Sequence, residues 1–376
     1  MRGRGSPSGR PTALVGAFFA LVVLALALPA GVAAGAPSTP SGTCSWSIST
    51  NRAHAVSGTL ESVDALSPRD AWAVGSVQMP RRARPLAEHW NGKTWQVVPT
   101  PADGRHVRIL HDVLALASDD VWAVGSQILV KTGVVHTLIE HWDGAGWSIV
   151  PSPRARSGHE ELLAVSGGAA DNLWAVGYLE PQITPLPLAM HWNGTRWHVT
   201  RAPAGGILQD VSAHHDGGVW AVGSSAPGVR HALLAMHARA GWHVDPNAPA
   251  QDLEAIAWRR PYDAWAVGDA PASPPVYLQP LAMHWNGSSW SFVPTPALQQ
   301  SAELRGVAAI SSDRAWAVGT LAFTHPLMLR WDGKSWHLAT PPTGNGYLQA
   351  VTRVPGTEEL WAVGHGAPDP LIFRYC

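Results

Sequence analysis

The stretch DAWAVG at residues 70–75 decides the fold, because the chain spells it seven times with small changes. The later copies begin at Asp120, Asn172, Gly218, Asp263, Arg314 and Glu359. Their tryptophans lie 45 to 52 residues apart. Spacings of about 20–50 residues are typical of solenoids, propellers and similar arrays. The copies therefore indicate one structural unit, used seven times in succession.

Each unit carries the signals of four short strands. An alternating apolar segment such as residues 110–116 precedes the WAVG run, and a His-Trp pair, a tight turn and a further apolar run follow it. The turn is mostly Asn-Gly or Asp-Gly, as in EHWNGKTWQVVPTP from Glu88, and such pairs between apolar runs indicate hairpins. Four strands in about 45 residues predict one blade of a β-propeller.

The two ends of the chain predict how the ring closes. The seventh copy stops after its third strand, LIFRYC, whereas TCSWSIST near the N-terminus matches a fourth strand, with Trp46 in the place of Trp95. The sequence thus predicts an all-β, seven-bladed β-propeller whose last blade is completed by the N-terminal strand. The predicted blades cover residues 58–100, 108–153, 160–203, 206–249, 251–296, 302–342, and 346–376 together with 43–50.

The same alignment brings the only two cysteines together. Cys376 takes the register position of Asn91, and Cys44 lies near that of Lys93, on the two sides of a tight turn. This separation is within reach of a disulfide. We therefore expect a Cys44–Cys376 bond, the alternative being two unrelated free thiols.

Residues 1–36 have the composition of a secretory signal peptide. Three arginines precede an apolar run over residues 13–28, and Pro29 and a stretch of small residues follow it. We expect cleavage near Ala34 or Ala36, which leaves a secreted propeller over residues 37–376 without a membrane span. The alternative is a retained anchor, for which sixteen apolar residues are short.

These features resemble the secreted bacterial seven-bladed β-propeller repeat proteins. With Trp and Gly at fixed blade positions, the chain is also similar in part to the kelch and Asp-box groups. It departs from both: WDGKSW and WNGTRW place the acid or amide directly before Gly, and only SGG at Ser166 echoes a kelch Gly pair. The resemblance covers roughly residues 43–376 and implies a fold much more than an activity.

The Trp, His and acidic residues that recur at the same position of successive repeats are predicted to have structural roles. Of the 20 tryptophans, all but Trp258 occupy repeat positions, and aromatic residues in register are more often core than sugar-stacking platforms. Equivalent positions on different blades lie too far apart to share a metal ion, so we predict neither a metal site nor a cofactor. The histidine column and its two replacements are His89, His141, His191, His237, His284, Arg330 and Arg374.

Function is expected on the face that carries the variable connections. The first three blades look basic there, against Asp103, Glu160 and Glu161. An ordinary solvated surface and an anion-binding patch both remain open. The basic residues are Arg52, Arg81, Arg82, Arg84, Arg105, Arg108, Lys131, Arg154 and Arg156.

A mostly polar ring is expected around the channel mouth on the same face. It consists of the residues that enter the first strand of each blade: Glu61, His111, Leu163, Gln209, Glu254, Arg305 and Gln349. A propeller hydrolase or lyase could use Glu61 with Glu254, and His111 or Tyr277, but no spacing pairs them specifically. No nucleophile elbow or free catalytic cysteine is evident.

The sequence therefore favours a secreted binding module for an extracellular polysaccharide, cell-surface polymer or protein. A polysaccharide-active hydrolase or lyase and a structural or adhesive surface protein are the alternatives. The net charge of −1 and the compartment argue against nucleic acid as a partner. A closed ring has no free sheet edge that requires a mate, so we expect a monomer.

Overall fold

The computed structural model describes residues 44–49, 58–79, 82–154, 158–180, 184–202, 205–214, 216–226, 229–238, 241–246, 248, 251–367 and 369–376. The side chains of residues 78, 82, 226, 229–231 and 238 lie outside this description, as does the predicted signal peptide over residues 1–36. The residues from Cys44 to Cys376 form one compact unit.

Twenty-eight strands form in the described part of the chain. They are β1 (Trp46–Ile48), β2 (Gly58–Ser67), β3 (Asp70–Met79), β4 (Arg82–Trp90), β5 (Trp95–Val97), β6 (His106–Ala117), β7 (Asp120–Leu129), β8 (Val135–Trp142), β9 (Trp147–Ile149), β10 (His159–Ala169), β11 (Asn172–Glu180), β12 (Leu186–Trp192), β13 (Trp197–Val199), β14 (Ile207–Ala213), β15 (Val219–Ala226), β16 (Val229–Ala238), β17 (Gly241–Val244), β18 (Asp252–Arg260), β19 (Asp263–Pro271), β20 (Leu278–Trp285), β21 (Trp290–Phe292), β22 (Ala302–Ser311), β23 (Arg314–Leu321), β24 (His325–Trp331), β25 (Trp336–Leu338), β26 (Tyr347–Arg353), β27 (Leu360–His365) and β28 (Leu371–Tyr375). None of the described residues belongs to a helix that could cross a membrane.

The strands pair as antiparallel four-stranded groups. Five sheets follow chain order, from β6-β7-β8-β9 to β22-β23-β24-β25. The sixth sheet has eight strands and consists of two such groups, β2-β3-β4-β5 and β26-β27-β28-β1, joined through the pair Thr59 and His365. We number the groups as blades 1 to 7, from β2–β5 to β26–β28 with β1. The predicted all-β β-propeller is confirmed.

The N-terminal strand completes blade 7, as the sequence predicts. Trp46 pairs with Tyr375 and Ile48 with Phe373, so that β1 is the fourth strand of this blade. Cys44 and Cys376 form a disulfide, with their Cα atoms 5.0 Å apart. The two ends of the chain are thus held together by backbone pairing and by a covalent bond.

Each WAVG tryptophan packs on the hairpin of the next blade. The ring centroid of Trp72 lies 5.1 Å from that of Trp142 and 5.3 Å from that of Trp147. The glycine of the same run is required by a close backbone approach, because a Cβ on Gly75 would lie 2.1 Å from the carbonyl oxygen of Thr59. Large and small residues therefore alternate so that neighbouring blades can interlock.

The histidine column caps the turns between the first and second strands. His89 Nε2 lies 2.8 Å from Asp70 Oδ1, and its ring stacks on Trp72 at 4.5 Å. The neighbouring Trp90 donates its indole N–H to the carbonyl of Pro68. Most other blades repeat the first contact, through His141–Asp120, His191–Asn172, His284–Asp263 and Arg374–Glu359. These residues hold turns in place, and equivalent histidines belong to different blades.

Two buried carboxyl groups, Glu88 in blade 1 and Glu140 in blade 2, interrupt an otherwise apolar column. Glu140 is fully buried, and neither of its carboxyl oxygens has a hydrogen-bond partner among the described residues. Burial raises its pKa to about 8, while the charge of Arg108 acts in the opposite direction. The same register position holds Met190 in blade 3 and Met283 in blade 5.

We expect Glu140→Met to raise the free energy of unfolding by about 1–3 kcal/mol at pH 7, because an unpaired buried polar group is removed. A raised folded-state pKa means that wild-type stability falls as pH rises from about 4.5 to about 8, so the advantage of the variant should widen across this window. Urea unfolding at pH 5, 7 and 8.5 measures both effects. The control Glu140→Gln should remove the pH dependence alone, and two variants less stable than wild type at pH 7 would contradict this account.

Replacing both Cys44 and Cys376 by serine should lower the free energy of unfolding by about 3–5 kcal/mol, because the bond closes a loop of 332 residues in the unfolded chain. The native fold should persist, since the pairing of β1 with β28 remains. Denaturant unfolding of wild type, double variant and reduced wild type measures the effect. An unchanged midpoint would show that this bond does not constrain the unfolded state.

Candidate functional site

Strand order sorts the connections between the two ends of the propeller. In every blade the turns from first to second strand and from third to fourth strand lie at one end, which we call the turn face. The connections from second to third strand and the links between blades lie at the other end, the loop face. Loops of varied length on a rigid scaffold are where binding residues concentrate.

The first strands of the seven blades surround a channel of about 380 Å³. At the loop-face end, a cavity of about 250 Å³ is lined by Glu61, His111, Leu163, Gln209, Glu254, Arg305 and Gln349. These are the seven residues that the repeat alignment places at the start of the first strands. The structure brings all of them together around one opening, which we call the mouth.

One half of the mouth is held by its own hydrogen bonds. Arg305 Nη1 donates to Gln349 Oε1 at 3.0 Å, and Gln349 Nε2 donates to Glu61 Oε2 at 2.7 Å. The guanidinium group also donates to Glu303 at 2.9 Å and lies over the ring of Tyr347 at 5.4 Å. These side chains are fixed in position by one another.

The opposite half keeps free hydrogen-bonding groups. No other described residue forms a hydrogen bond with the side chain of Gln209 or Glu254. His111 Nε2 lies 3.6 Å from Glu161 Oε2, which is too long for a hydrogen bond. Tyr178 lies near the same carboxylate, and burial together with the Glu161 charge raises the Tyr178 pKa to about 12. Because His111 Nε2 is buried against Glu161, the groups that a ligand could pair with are those of Gln209 and Glu254.

The side chain of Glu254 at the mouth has a raised pKa. Burial raises its pKa to about 7, and the charges of Asp269 and Asp252 raise it further against the opposing effect of Arg305. A carboxyl group with this pKa is partly protonated at neutral pH, so it can donate as well as accept a hydrogen bond.

Three aspartates line the channel below the mouth, and the sequence analysis missed them. Asp64 accepts a hydrogen bond from the amide of Ala115 on the next blade at 2.9 Å. Asp112 and Asp210 do the same for Val165 and Ile256, both at 2.7 Å. The available signal was an acid inside an alternating first strand, as in LESVDAL, LHDVLAL and LQDVSAH. These side chains link neighbouring blades and also make the channel acidic.

Burial raises the pKa of each channel aspartate. The pKa is about 6 for Asp64 and for Asp112, although hydrogen bonds to the carboxylates oppose the shift. It reaches about 7 for Asp210, where the Asp112 charge adds to burial. These groups are coupled along the channel, so protons bound there respond to pH near neutrality.

The structure separates the predicted basic residues into two groups. Arg84, Arg105, Lys131 and Arg154 are exposed on the loop face. Arg108 is not part of an exposed patch: it is buried, and it donates to the carbonyl of Pro101 at 2.9 Å and to Asp103 at 2.7 Å. Arg52, Arg81 and Arg156 lie outside the described residues, as does the side chain of Arg82.

The acids that would offset these cations are largely engaged elsewhere. Asp103 Oδ2 contacts both His106 and Arg108, and although burial acts against it, the hydrogen bond with His106 lowers the Asp103 pKa below its usual range. Glu160 is buried, and Glu161 faces His111 and Tyr178. Glu61, which pairs with Gln349, and Glu180 are the remaining described carboxylates of the loop face in blades 1 to 3. Acids and cations are thus equal in number among the described residues, but the four exposed cations have no acidic partner there.

The exposed large apolar side chains are divided among the fourth strands, the turn face and the loop face. Of those among the described residues, seven lie on the fourth strands and Tyr262 lies on the turn face. The loop face has the remaining five: Met79, Val130, Leu186, Tyr277 and Phe323. We define the basic sector as the exposed loop-face cations Arg84, Arg105, Lys131 and Arg154 together with Met79, Val130 and Leu186. Tyr277 and Phe323, on blades 5 and 6, form the aromatic sector.

The arrangement is suited to binding. Glu61, half of the predicted carboxylate pair, is engaged with Gln349, whereas Glu254 is not engaged. Tyr277 lies on the loop outside the mouth lining. Among the described residues, no three His, Cys, Asp or Glu side chains are close enough to hold one metal ion.

No protein-family model matches the chain, and no curated protein sequence does. Solved structures are similar in fold. YCF48 bound to D1 peptide has a TM-score of 0.59 at 12% identity, over 88% of this chain and 96% of that one. YCF48 from Cyanidioschyzon merolae has a TM-score of 0.58 at 14% identity, over 88% and 98%. At these identities the similarity shows the β-propeller fold.

Asp210→Asn should remove part of the pH dependence of stability. Because the folded-state pKa lies above the ordinary 3.8, the contribution of Asp210 to stability is highest at low pH and falls as pH rises from about 4 to about 7. Relative to wild type, the variant should therefore gain about 2 kcal/mol between pH 5 and pH 7.5. Urea unfolding across this range measures the difference.

Asp143→Asn is the matched control on the turn face. Hydrogen bonds from the amides of Ala145 and Gly146 lower the pKa of Asp143, so this variant should differ from wild type equally at pH 5 and pH 7.5. Parallel curves for Asp210→Asn and wild type would contradict a raised pKa in the channel.

Proposed function

We propose that this protein is a secreted, monomeric binding module that recognises an acidic segment of a protein ligand through its loop face. The predicted signal peptide over residues 1–36 and the Cys44–Cys376 disulfide support an oxidising, extracellular location. The propeller, predicted over residues 37–376, supplies a rigid ring on which the loops are displayed.

The observation that carries the proposal is the unpaired charge of the basic sector. Arg84, Arg105, Lys131 and Arg154 are exposed, and none of them has an acidic partner among the described residues. The neighbouring acids are mostly buried or paired. A ligand that brings carboxylates to this sector gains attraction without breaking existing ion pairs, and the attraction also speeds encounter.

The exposed apolar groups of the same sector favour a protein over an acidic polysaccharide. Met79 is 38% exposed, Val130 49% and Leu186 38%. Arg84 follows Met79 on the same hairpin and Lys131 follows Val130, whereas the loop before Leu186 contains no Lys or Arg. Aliphatic groups are covered well by apolar side chains, whereas sugar rings pack best on aromatic faces. Acidic and apolar groups in alternation are available on a polypeptide and not on a simple uronate polymer.

The mouth would add polar selectivity to this contact. Gln209 and Glu254 keep free groups on the half that is not held by internal hydrogen bonds. A polar group of the ligand that enters the cavity would satisfy them. YCF48, which has the same fold, is described as bound to D1 peptide, and this supports a peptide segment as a ligand for such a scaffold.

The triple variant Arg84→Ala, Lys131→Ala, Arg154→Ala should bind an acidic ligand at least tenfold more weakly, with a shallower dependence on salt. The probe is an immobilised peptide of alternating Glu and Leu, measured by surface plasmon resonance at low and high salt. Polygalacturonate serves as the acidic polymer without apolar side chains.

The control variant Lys93→Ala, Arg196→Ala, Lys334→Ala removes the same charge from exposed positions of the turn face and should bind as wild type does. An equal loss in both variants would attribute the effect to net charge. Tighter binding of polygalacturonate than of the peptide, or no binding of either, would overturn the proposed ligand class.

A further inference from the structure

The aromatic sector has a chemistry that the proposed protein ligand does not use. Tyr277 is 63% exposed on the loop between β19 and β20, and Phe323 is 53% exposed on the hairpin between β23 and β24. Isolated exposed apolar residues are common on protein surfaces. Three further observations distinguish this pair.

The two loops are tied to one residue. Ser301, which is buried at the start of blade 6, accepts a hydrogen bond at its hydroxyl from the Tyr277 amide at 2.9 Å. Its carbonyl accepts from the Ala322 amide at 2.7 Å. The backbones that carry the two aromatic rings are therefore held side by side, although they belong to different blades.

The hairpin that presents Phe323 adopts an unfavourable backbone conformation. Ala322 has φ of 51° and Phe323 has φ of 61°, in the left-handed region that glycine and asparagine normally occupy in such turns. The turn is closed by the Thr324 amide, which donates to the carbonyl of Leu321 at 3.3 Å. Strained residues that persist in a fold are concentrated at functional sites, and here the strain places a phenyl ring in solvent.

The loops around the pair carry no charged side chain, and of the acids at the adjoining strand ends Asp269 is buried and Glu303 is paired with Arg305. The loops of residues 270–278, 294–301 and 339–346 contain no Asp, Glu, Lys or Arg. Gln299, Gln300 and Asn345 are exposed there and offer amide donors and acceptors. This is the opposite of the basic sector, where charge dominates.

The sector is continuous with the mouth. The Gly346 amide donates to the carbonyl of Thr324 at 2.9 Å, and the next residue, Tyr347, lies under the guanidinium group of Arg305. A chain of sugar units lying on Tyr277 and Phe323 could thus extend towards the polar cavity.

We propose that Tyr277 and Phe323 form a stacking platform for a neutral oligosaccharide, a second site that is independent of the protein-binding sector. The electron-rich faces of aromatic rings attract the weakly positive C–H groups on one face of a pyranose ring. The neighbouring amide side chains supply hydrogen bonds for the hydroxyl groups, which a site for small polar ligands requires. The lack of charge selects neutral sugars over uronates or sulfated polymers.

The test is affinity electrophoresis of the full propeller in native gels that contain dextran, glucomannan, galactomannan or mixed-linkage β-glucan. Wild type should be retarded by at least one neutral polymer, and Tyr277→Ala and Phe323→Gly should each lose at least four-fifths of that retardation. Polygalacturonate in the gel should retard wild type and these two variants equally.

Phe323→Gly makes the test specific, because glycine relieves the positive φ. This variant should have a higher melting midpoint, by about 1–2 °C, while it loses binding. A merely structural phenylalanine could not give this combination. The controls Tyr262→Ala and Phe292→Ala remove aromatic rings of similar exposure, 57% and 55%, from other surfaces and should leave retardation unchanged.

Three results would overturn the platform. The first is no retardation by any neutral polymer, and the second is retardation that both variants retain. The third is that Tyr277→Ala and Phe323→Gly no longer bind the Glu-Leu peptide while wild type binds no polysaccharide, because the aromatic residues would then serve the protein ligand. Failure of the peptide experiment alone leaves this test standing, so the two proposals fail separately.

Discussion

The packing of each WAVG indole on the hairpin of the next blade is the interaction on which the whole ring depends. Trp361 of blade 7 lies 5.0 Å from Trp90 and 5.1 Å from Trp95 of blade 1, and Trp316 meets Trp46 at 5.3 Å. Such pairs contribute about 0.5–1.5 kcal/mol each beyond their burial. With at most two such pairs at each of the seven interfaces, their sum is on the order of 10 kcal/mol, which is comparable with the net stability of a domain. Blade 7 therefore needs the N-terminal strand, because without Trp46 the Trp316 indole would keep only Tyr375 as an aromatic partner on that blade.

This packing also determines where function can lie. The tryptophans fill the spaces between blades, and the histidine and acidic columns are occupied at the turn face, as His89 and Asp70 show. Chemically free groups remain at the loop face and in the channel. The channel aspartates have two consequences at once: Asp210 ties blade 4 to the Ile256 amide of blade 5, and its raised pKa makes that link sensitive to pH.

The repeat made the fold and the mouth predictable, because residues in one column of a cyclic repeat must lie at one height in the ring. Glu61 and its six counterparts could be placed around one opening for this reason. Three features could not be found in this way. Arg108, on β6, is buried because the preceding link between blades brings Pro101 and Asp103 against its guanidinium group, which no local pattern encodes. Asp64 accepts its hydrogen bond from the amide of Ala115, which is 51 residues away in the sequence. The positive φ of Phe323 could not be predicted, because neither glycine nor asparagine occupies the turn.

The two sectors of the loop face differ in the forces they can use, and the fixed ring keeps them apart. Attraction to Arg84 and Lys131 decays over a Debye length of about 8 Å at physiological salt, so it acts only near the basic sector. Contacts with Tyr277 and Phe323 depend on shape and dispersion and change little with salt. The mouth lies between them, where Glu254 with a pKa of about 7 responds to pH instead. One rigid face can therefore respond separately to ionic strength, to pH and to neutral surface chemistry, because each response rests on a different group of side chains.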